Sequence, residues 1–245
     1  MGKLDGKVAA ITASTRSIGR AIAEAYLAEG AKVVVSGRSK EKGAAALEEM
    51  NAGDNATFIA CDASKQSDVE GLIDGTVNHF GKIDIAVLNA GGILNAAPVA
   101  EMTDESWEYT LNLNLNHTFW GMRKALQHML PQEDGRIIAI SSVEGKMRTE
   151  TVSHYVATKH AINGLVKTAA HEVGPTGVTV NAILPGFVKT DLFYESAPQT
   201  AEALGMDSLD EVADMYSQAS AIKKPNTVEQ VAAVAVMLAR DEARN

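Results

Sequence analysis

The sequence is short of the features that mark secreted, membrane-spanning or nucleic-acid-binding proteins. Among 245 residues there is one cysteine, Cys61, so no intrachain disulfide can form. That fits a reducing compartment, and Cys61, at the end of a strand-like run, reads as a buried core thiol. No apolar run approaches the ~20 residues needed to cross a bilayer. The opening Met1-Gly2-Lys3-Leu4-Asp5-Gly6-Lys7 has no apolar stretch of the signal-peptide kind, and Gly6 stands where myristoylation needs Ser or Thr. Positive charge is also scarce. Lys and Arg number 22 against 31 Asp and Glu, giving a net charge of −9 and a pI near 5.2. Such a surface disfavours nucleic acid and anionic membrane as partners. No G-x-x-x-x-G-K-[ST] occurs, which removes a P-loop phosphotransferase, and no metal-ligating set is read. The expectation is a cytoplasmic protein without nucleic-acid or membrane partners.

What is present is a regular alternation. The chain is 46% hydrophobic, ample for a large core. Strand-like runs at 8–12, 33–35, 57–60, 85–89, 136–141 and 178–184 alternate with helix-like stretches at 18–29, 40–50, 69–80, 111–129 and 153–173. The strands are continuous apolar runs rather than polar–apolar alternations. That predicts a sheet covered on both faces, hence parallel, with helices as crossovers. The fold class is α/β: one doubly wound domain over residues 1–245, in three layers, α/β/α. Residues 186–227 break the rhythm and carry Phe187, Phe193, Tyr194, Met206, Met215 and Tyr216. The segment reads as a substrate-covering insert at a strand's carboxyl end, with an extra packed helix pair as the plainer alternative.

A dinucleotide site needs a tight turn after the first strand so that a helix N-terminus faces the pyrophosphate. Here the turn is Thr12-Ala13-Ser14-Thr15-Arg16-Ser17-Ile18-Gly19, with Gly19 its one glycine. Ser14, Thr15 and Ser17 offer hydroxyls and backbone N–H groups to phosphate. The second strand ends in Ser36-Gly37-Arg38-Ser39, without the acid that would hold the ribose of NAD. Arg38, helped by Ser39 and Lys40 and by Arg16 in the neighbouring turn, suits the 2′-phosphate of NADP. NADP is therefore favoured over NAD. Asp62 is placed to accept from an adenine amino group. Asn89-Ala90-Gly91 closes the fourth strand, with Asn89 either a tie between strands or a ligand contact.

The catalytic signal is Tyr155-Val156-Ala157-Thr158-Lys159, with Ser142 thirteen residues upstream and Asn114 in an earlier helix-like stretch. With five tyrosines and fourteen lysines, Tyr-x-x-x-Lys alone arises by chance in about a third of such chains. Requiring the serine lowers that to about 0.02. The serine follows a strand and the tyrosine opens a helix, so both belong at the carboxyl edge of the sheet. Residues four apart share a helix face, so Lys159 sits below Tyr155. Its ammonium, together with a cationic nicotinamide, is expected to favour the phenolate and lower the phenol pKa. Tyr155 is then the acid in reduction and the base in oxidation, and Ser142 orients the substrate oxygen. Asn114 either positions a water linking Lys159 to solvent or plays a local helix role. A non-catalytic nucleotide-binding or regulatory protein, and an NAD-dependent dehydrogenase, are the alternatives.

With these residues quoted, the chain resembles the short-chain dehydrogenase/reductase family. The likeness runs from about Leu4 to Ala239. It includes Leu88-Asn89-Ala90-Gly91, Trp107 seven residues before Asn114, Ile140-Ser141-Ser142, Tyr155-x-x-x-Lys159, and Val180 to Gly186 with Thr190. The resemblance implies a Rossmann-type fold, a nicotinamide cofactor and an Asn114–Ser142–Tyr155–Lys159 tetrad. It also implies that Pro185, Gly186, Val188 and Thr190 line the nicotinamide end, with Val188 at the carboxamide and Thr190 near the phosphates. Three departures stand out. Ala13 and Ser17 replace two glycines of the usual turn, and His117 stands where glycine is common. The family also commonly continues into a further strand after the point matching Asn245, so either the sequence is shortened or the sheet has six strands and a weaker interface. An apolar lining from Ile93, Leu94, Val143, Met147, Phe187, Leu192, Phe193 and Met206, with Glu144 and His154, suggests a small-molecule ketone or alcohol with a hydrophobic body. His154 is read as a solvated helix-start residue, with contact to a polar substrate group as the alternative. Small residues Ala157, Ala161 and Gly164 on the Tyr155 helix point to a homodimer or homotetramer.

Overall fold

The computed structural model describes residues 2–244, with the side chains of residues 192, 196, 199, 200, 203 and 204 outside that description. The expected lining residue Leu192 therefore lies outside the described residues. Six strands form one sheet: β1 (Val8–Ile11), β2 (Lys32–Gly37), β3 (Ala56–Ala60), β4 (Ile85–Leu88), β5 (Gly135–Ile140) and β6 (Val178–Ile183). All pairings are parallel, and the order is β3-β2-β1-β4-β5-β6. The doubly wound expectation is met.

Alternation along each strand sorts the core into two layers. Ala9, Ile11, Val33, Val35, Ile138 and Ile140 face α1 (Ser17–Ala28) and α9 (Val228–Ala239). Ala10, Ala86, Leu88, Ile137, Ala139 and Val180 face α3 (Gln66–Phe80), α5 (His117–Gln132) and α6 (Ser153–Val173). Both faces bury Val and Ile, which is why no strand alternates between polar and apolar residues. The order reverses between β1 and β4, and the crevice at their carboxyl ends is where such sheets bind ligands. Cys61 is buried, and burial, with Asp68 and Asp62 adding to it, pushes its thiol up to about 12. It is an inert core group, as expected.

The helix expected at 111–129 is broken. It consists of α4 (Asp104–Leu111), a π-turn over Asn112–Asn116, and α5. The cause is side-chain competition for the backbone. Asn114 Nδ2 donates to the Thr110 carbonyl at 2.8 Å, and Thr118 Oγ1 donates to the Asn114 carbonyl at 2.8 Å. The 186–227 segment holds the helix pair α7 (Asp191–Leu204) and α8 (Leu209–Ser217), closed on its own apolar cluster of Phe193, Ala197, Ala201, Val212 and Ala213. The pattern reading assigns no helix after 227. α9 is there nonetheless, opened by a Thr227–Gln230 capping box. At the amino-terminal edge of the sheet, Arg136 is buried and bonds Asp134 at 2.8 Å and Asp241 at 3.3 Å. That edge is closed by charge pairing, leaving the opposite edge for the site.

Candidate active site

The site is assembled where β1 and β4 end. Thr12 Oγ1 accepts from the backbone N–H groups of Asn89 at 2.8 Å and Ala90 at 3.0 Å. In return, Asn89 Nδ2 donates to the carbonyls of Thr12 at 3.0 Å and Ala13 at 3.1 Å. Asn89 is thus a tie between the two strands. The turn that follows is left-handed at two non-glycine positions, Ala13 (φ 50°) and Ser17 (φ 53°). These are the two places where the sequence departs from glycine. Gly19 is required by close approach: a Cβ there would lie 2.5 Å from the Ala13 carbonyl oxygen and 2.6 Å from Asn89 Nδ2.

The expected cofactor residues divide into occupied and open groups. Ser14 is fully buried, donating to the Ile11 carbonyl at 2.8 Å and accepting from the Ser36 N–H at 2.9 Å, while its own N–H goes to the Ser36 carbonyl. Its hydroxyl ties β1 to β2 and is not open to phosphate. Thr15 lies against Gly37, and Ile18 packs on the core. Arg16 is exposed and ion-pairs with Glu195 of α7, while the Ser17 hydroxyl donates to Asp191 at 2.6 Å. Nothing in the sequence pattern flagged these two acids, because they lie more than 170 residues away in the insert. Arg38 is exposed at the end of β2. Ser39 caps α2 (Lys40–Met50), accepting from the Lys42 N–H at 3.1 Å. Asp62 accepts from the Ser64 hydroxyl at 2.8 Å. Ala90 is buried. The Pro185 carbonyl accepts from the Val143 N–H at 3.0 Å, bringing the loop after β6 beside Ser142. Gly186 lies against Asn226, and Val188 is buried and forms a bridge to the same residue. Thr190 caps α7.

The four tetrad candidates come together. Ser142 ends β5, Tyr155 and Lys159 lie on α6, and Asn114 sits in the π-turn. The Ser142 and Tyr155 hydroxyls lie within reach of each other. Lys159 Nζ stands 5.2 Å from the Tyr155 ring centroid and donates to the Ile140 carbonyl at 2.9 Å. Gly91 packs directly on this group. A Cβ there would lie 2.9 Å from Asn114 Oδ1 and 3.3 Å from Lys159 Nζ. Asn114 is fully buried, and its Nδ2 also donates to the Gly92 carbonyl at 2.7 Å.

The electrostatics correct one expectation. Burial raises the Tyr155 phenol pKa, the Ser142 hydrogen bond opposes the rise, and the Glu144 charge adds to it. The lowering expected from Lys159 is not seen. Lys159 Nζ lies over the ring face and gives its hydrogen bond to Ile140, and burial lowers Lys159 itself to about 7. A phenol kept neutral in this way is a proton donor. Of the lining candidates, Ile93, Leu94 and Met147 are exposed. Glu144 has one oxygen sealed from solvent without a partner. His154 is a correction: it is fully buried, and its Nε2 bonds the Asn95 carbonyl at 2.9 Å, so it is a structural brace rather than a solvated residue. His117 is likewise fully buried, with Nε2 3.0 Å from Thr12 Oγ1. Sequence reasoning marked His117 only as a bulky departure.

A family profile described as short chain dehydrogenase matches residues 7–201. The 3beta-hydroxysteroid dehydrogenase of Mediterraneibacter gnavus is 36% identical over 255 residues, covering 100% of this chain and 92% of that protein. The D-beta-hydroxybutyrate dehydrogenase of Rhizobium meliloti is 35% identical over 240 residues, covering 97% of this chain and 93% of the relative. Among solved structures, a variant actinorhodin polyketide ketoreductase with NADPH superposes with a TM-score of 0.91 at 31% identity, covering 100% of this chain and 94% of that one.

The left-handed turn yields a stability prediction. An L-residue in that conformation costs roughly 1 kcal/mol, and a glycine adds about 0.5 kcal/mol of unfolded-chain entropy. Ala13→Gly should therefore raise the melting temperature by about 1–2 °C in a calorimetric scan. A lower melting temperature would mean that the turn carries no strain at Ala13.

Proposed function

Because the chain belongs to the short-chain dehydrogenase family, we propose that it is an NADP-dependent oxidoreductase interconverting a hydrophobic ketone and its secondary alcohol, with Tyr155 as general acid and base. The coarser statement follows from membership: the chain is an NAD(P)-dependent enzyme that oxidises alcohols or reduces ketones among small molecules. The observation that carries the finer reading is the meeting of the Ser142 hydroxyl with the phenol of Tyr155, with Lys159 Nζ 5.2 Å from that ring's centroid.

The residues at the carboxyl edge fit a nicotinamide dinucleotide. The N-terminus of α1 opens on a tight turn whose donors suit pyrophosphate, and Gly91 leaves room beside Asn114 and Lys159. When bound, that cofactor supplies or accepts the hydride. The protein's part is proton handling and orientation. In reduction, Tyr155 gives its proton to the carbonyl oxygen while Ser142 holds that oxygen by a hydrogen bond. Lys159 Nζ, 5.2 Å from the Tyr155 ring centroid, favours the phenolate in its charged form as the proton leaves. Asn114 braces the π-turn against Gly92, so its contribution to proton resupply is through the position of its backbone and not through a free amide. Pro185, Gly186, Val188 and Thr190 then flank the nicotinamide end, with Asn89, Ala90 and Gly91 opposite.

The NADP preference rests on Arg38. Arg16, the second cation considered, is paired with Glu195. Ser39 and Asp62 already have local partners and serve the adenosine end from there. The helix pair α7–α8 is read as the substrate cover. Ile93 and Leu94, just beyond the end of β4, and Met147, five residues after Ser142, are exposed apolar side chains, which supports a ketone or alcohol with a hydrophobic body. Phe119 is 42% exposed and Leu130 39% exposed on α5, and Ala157, Ala161 and Gly164 are exposed on α6. That surface supports a homodimer or homotetramer.

Tyr155→Phe should lower ketone turnover by about a thousandfold or more while NADPH binding changes less than about threefold. Turnover near the parent rate would remove Tyr155 as the acid. Arg38→Asp should move the ratio of kcat/KM values for NADPH and NADH at least about tenfold toward NADH. An unmoved ratio would remove the phosphate clamp. Light scattering should give two or four times the 25.9 kDa chain mass, and a monomer would refute the assembly.

A further inference from the structure

Thr12 Oγ1 has more neighbours than a hydroxyl can serve without a rule for sharing. It has two lone pairs and one proton. The lone pairs face the N–H groups of Asn89 at 2.8 Å and Ala90 at 3.0 Å. Two groups remain for the single proton: the Val87 carbonyl at 3.4 Å, which already accepts the Thr12 N–H at 3.0 Å, and His117 Nε2 at 3.0 Å. The nearer, unspent acceptor is Nε2. A proton on Nε2 would bring a third donor to an oxygen with no lone pair left for it.

We infer that His117 is a positioning residue for the reaction: a permanently neutral, Nδ1-protonated imidazole that receives the Thr12 hydroxyl proton and so locks the nucleotide turn, the end of β4 and the Asn114 π-turn into one unit. The imidazole stands at the joint of all three. Thr12 leads into the left-handed turn, its hydroxyl holds Asn89 and Ala90, and Gly92 two residues on is bonded to Asn114 in both directions. His117 is the first residue of α5, immediately after the π-turn. Its Nδ1 is sealed from solvent beside the Asn114 carbonyl, without a hydrogen bond of regular geometry. Burial, with the nearby Lys159 charge, holds His117 down at about 3, in keeping with a ring that does not ionise at working pH. The proposal rests on the tetrad reading above for its catalytic consequence, but the tautomer itself does not depend on that reading.

The first test is made on the unmodified protein. Imidazole nitrogen-15 shifts of His117, recorded from pH 5 to 9, should report a proton on Nδ1 and none on Nε2, unchanged across the range. A proton on Nε2, or a titration within that range, overturns the proposal whatever the enzyme does. The second test compares two variants. His117→Gln keeps an acceptor near the Nε2 position, whereas His117→Leu keeps the volume without one. His117→Gln should stay within about threefold of the parent in kcat/KM for ketone and NADPH, and His117→Leu should lose about tenfold or more. Equal losses in the two would reduce His117 to a space-filling residue. If His117→Leu fails to fold, the tautomer measurement decides. If no ketone is turned over by the parent protein, the activity reading fails while the tautomer result stands.

Discussion

The pairing of β1 with β4 is the constraint on which the rest of the molecule depends. The two strands are far apart in sequence and adjacent in the sheet, so their carboxyl ends meet at the point where the strand order reverses. Nothing in either strand's apolar run holds the segments beyond them together. That task falls to a few polar groups, the Thr12 hydroxyl and the Asn89 amide, which cross-link the first residues past each strand end. Once those segments are joined, Gly19 is forced to be small and Gly91 is pressed against Asn114 and Lys159. The π-turn belongs to the same arrangement: the helix gives up regular hydrogen bonding so that Asn114 can reach Gly92.

Burial governs the chemistry at this junction more than the charge of neighbouring groups does. Lys159 is buried and Tyr155 partly so, and desolvation disfavours the charged form of each. The phenol is held protonated and the amine is brought near neutrality. The two proton affinities therefore move apart: the ordinary values of 10.0 and 10.5 nearly coincide, whereas here the phenol's is raised and the amine's falls to about 7. The direction expected from spacing alone, with an ammonium pulling the phenol down, treats the pair as exposed charges. In the folded protein the amine lies over the ring and is bonded to Ile140.

Much of this was legible in the sequence because it follows from periodicity. Continuous Val and Ile runs specify a two-sided sheet, and its parallel order and helical crossovers follow. The convergence of Ser142 and Tyr155 was legible for the same reason, since each is placed by the end of a regular element. Apart from the helix α9, the misses are polar and tertiary. The break at Asn112–Asn116 comes from side chains competing for backbone groups, which hydrophobic spacing does not record. Ser14 looked free because its partner Ser36 lies on another strand. His154 looked solvated because its position at a helix start says nothing of the Asn95 loop laid over it. The helix α9 was left unread because the rhythm of strand and crossover ends with β6.

The turn between β1 and α1 shows how these polar contacts offset a local cost. Left-handed backbone at Ala13 and Ser17 is unfavourable for residues with a Cβ. A bare loop would relax out of it. Here the Ala13 carbonyl is held by Asn89, the Ser17 hydroxyl by Asp191, and Arg16 between them by Glu195. The last two contacts come from α7, so that helix and the turn share one set of bonds. Any anion that binds at this turn meets Arg16 and Ser17 already engaged with carboxylates and must displace or share them. The geometry of the turn and the seating of α7 are therefore coupled: a group that takes Arg16 and Ser17 from Glu195 and Asp191 also loosens two anchors of that helix.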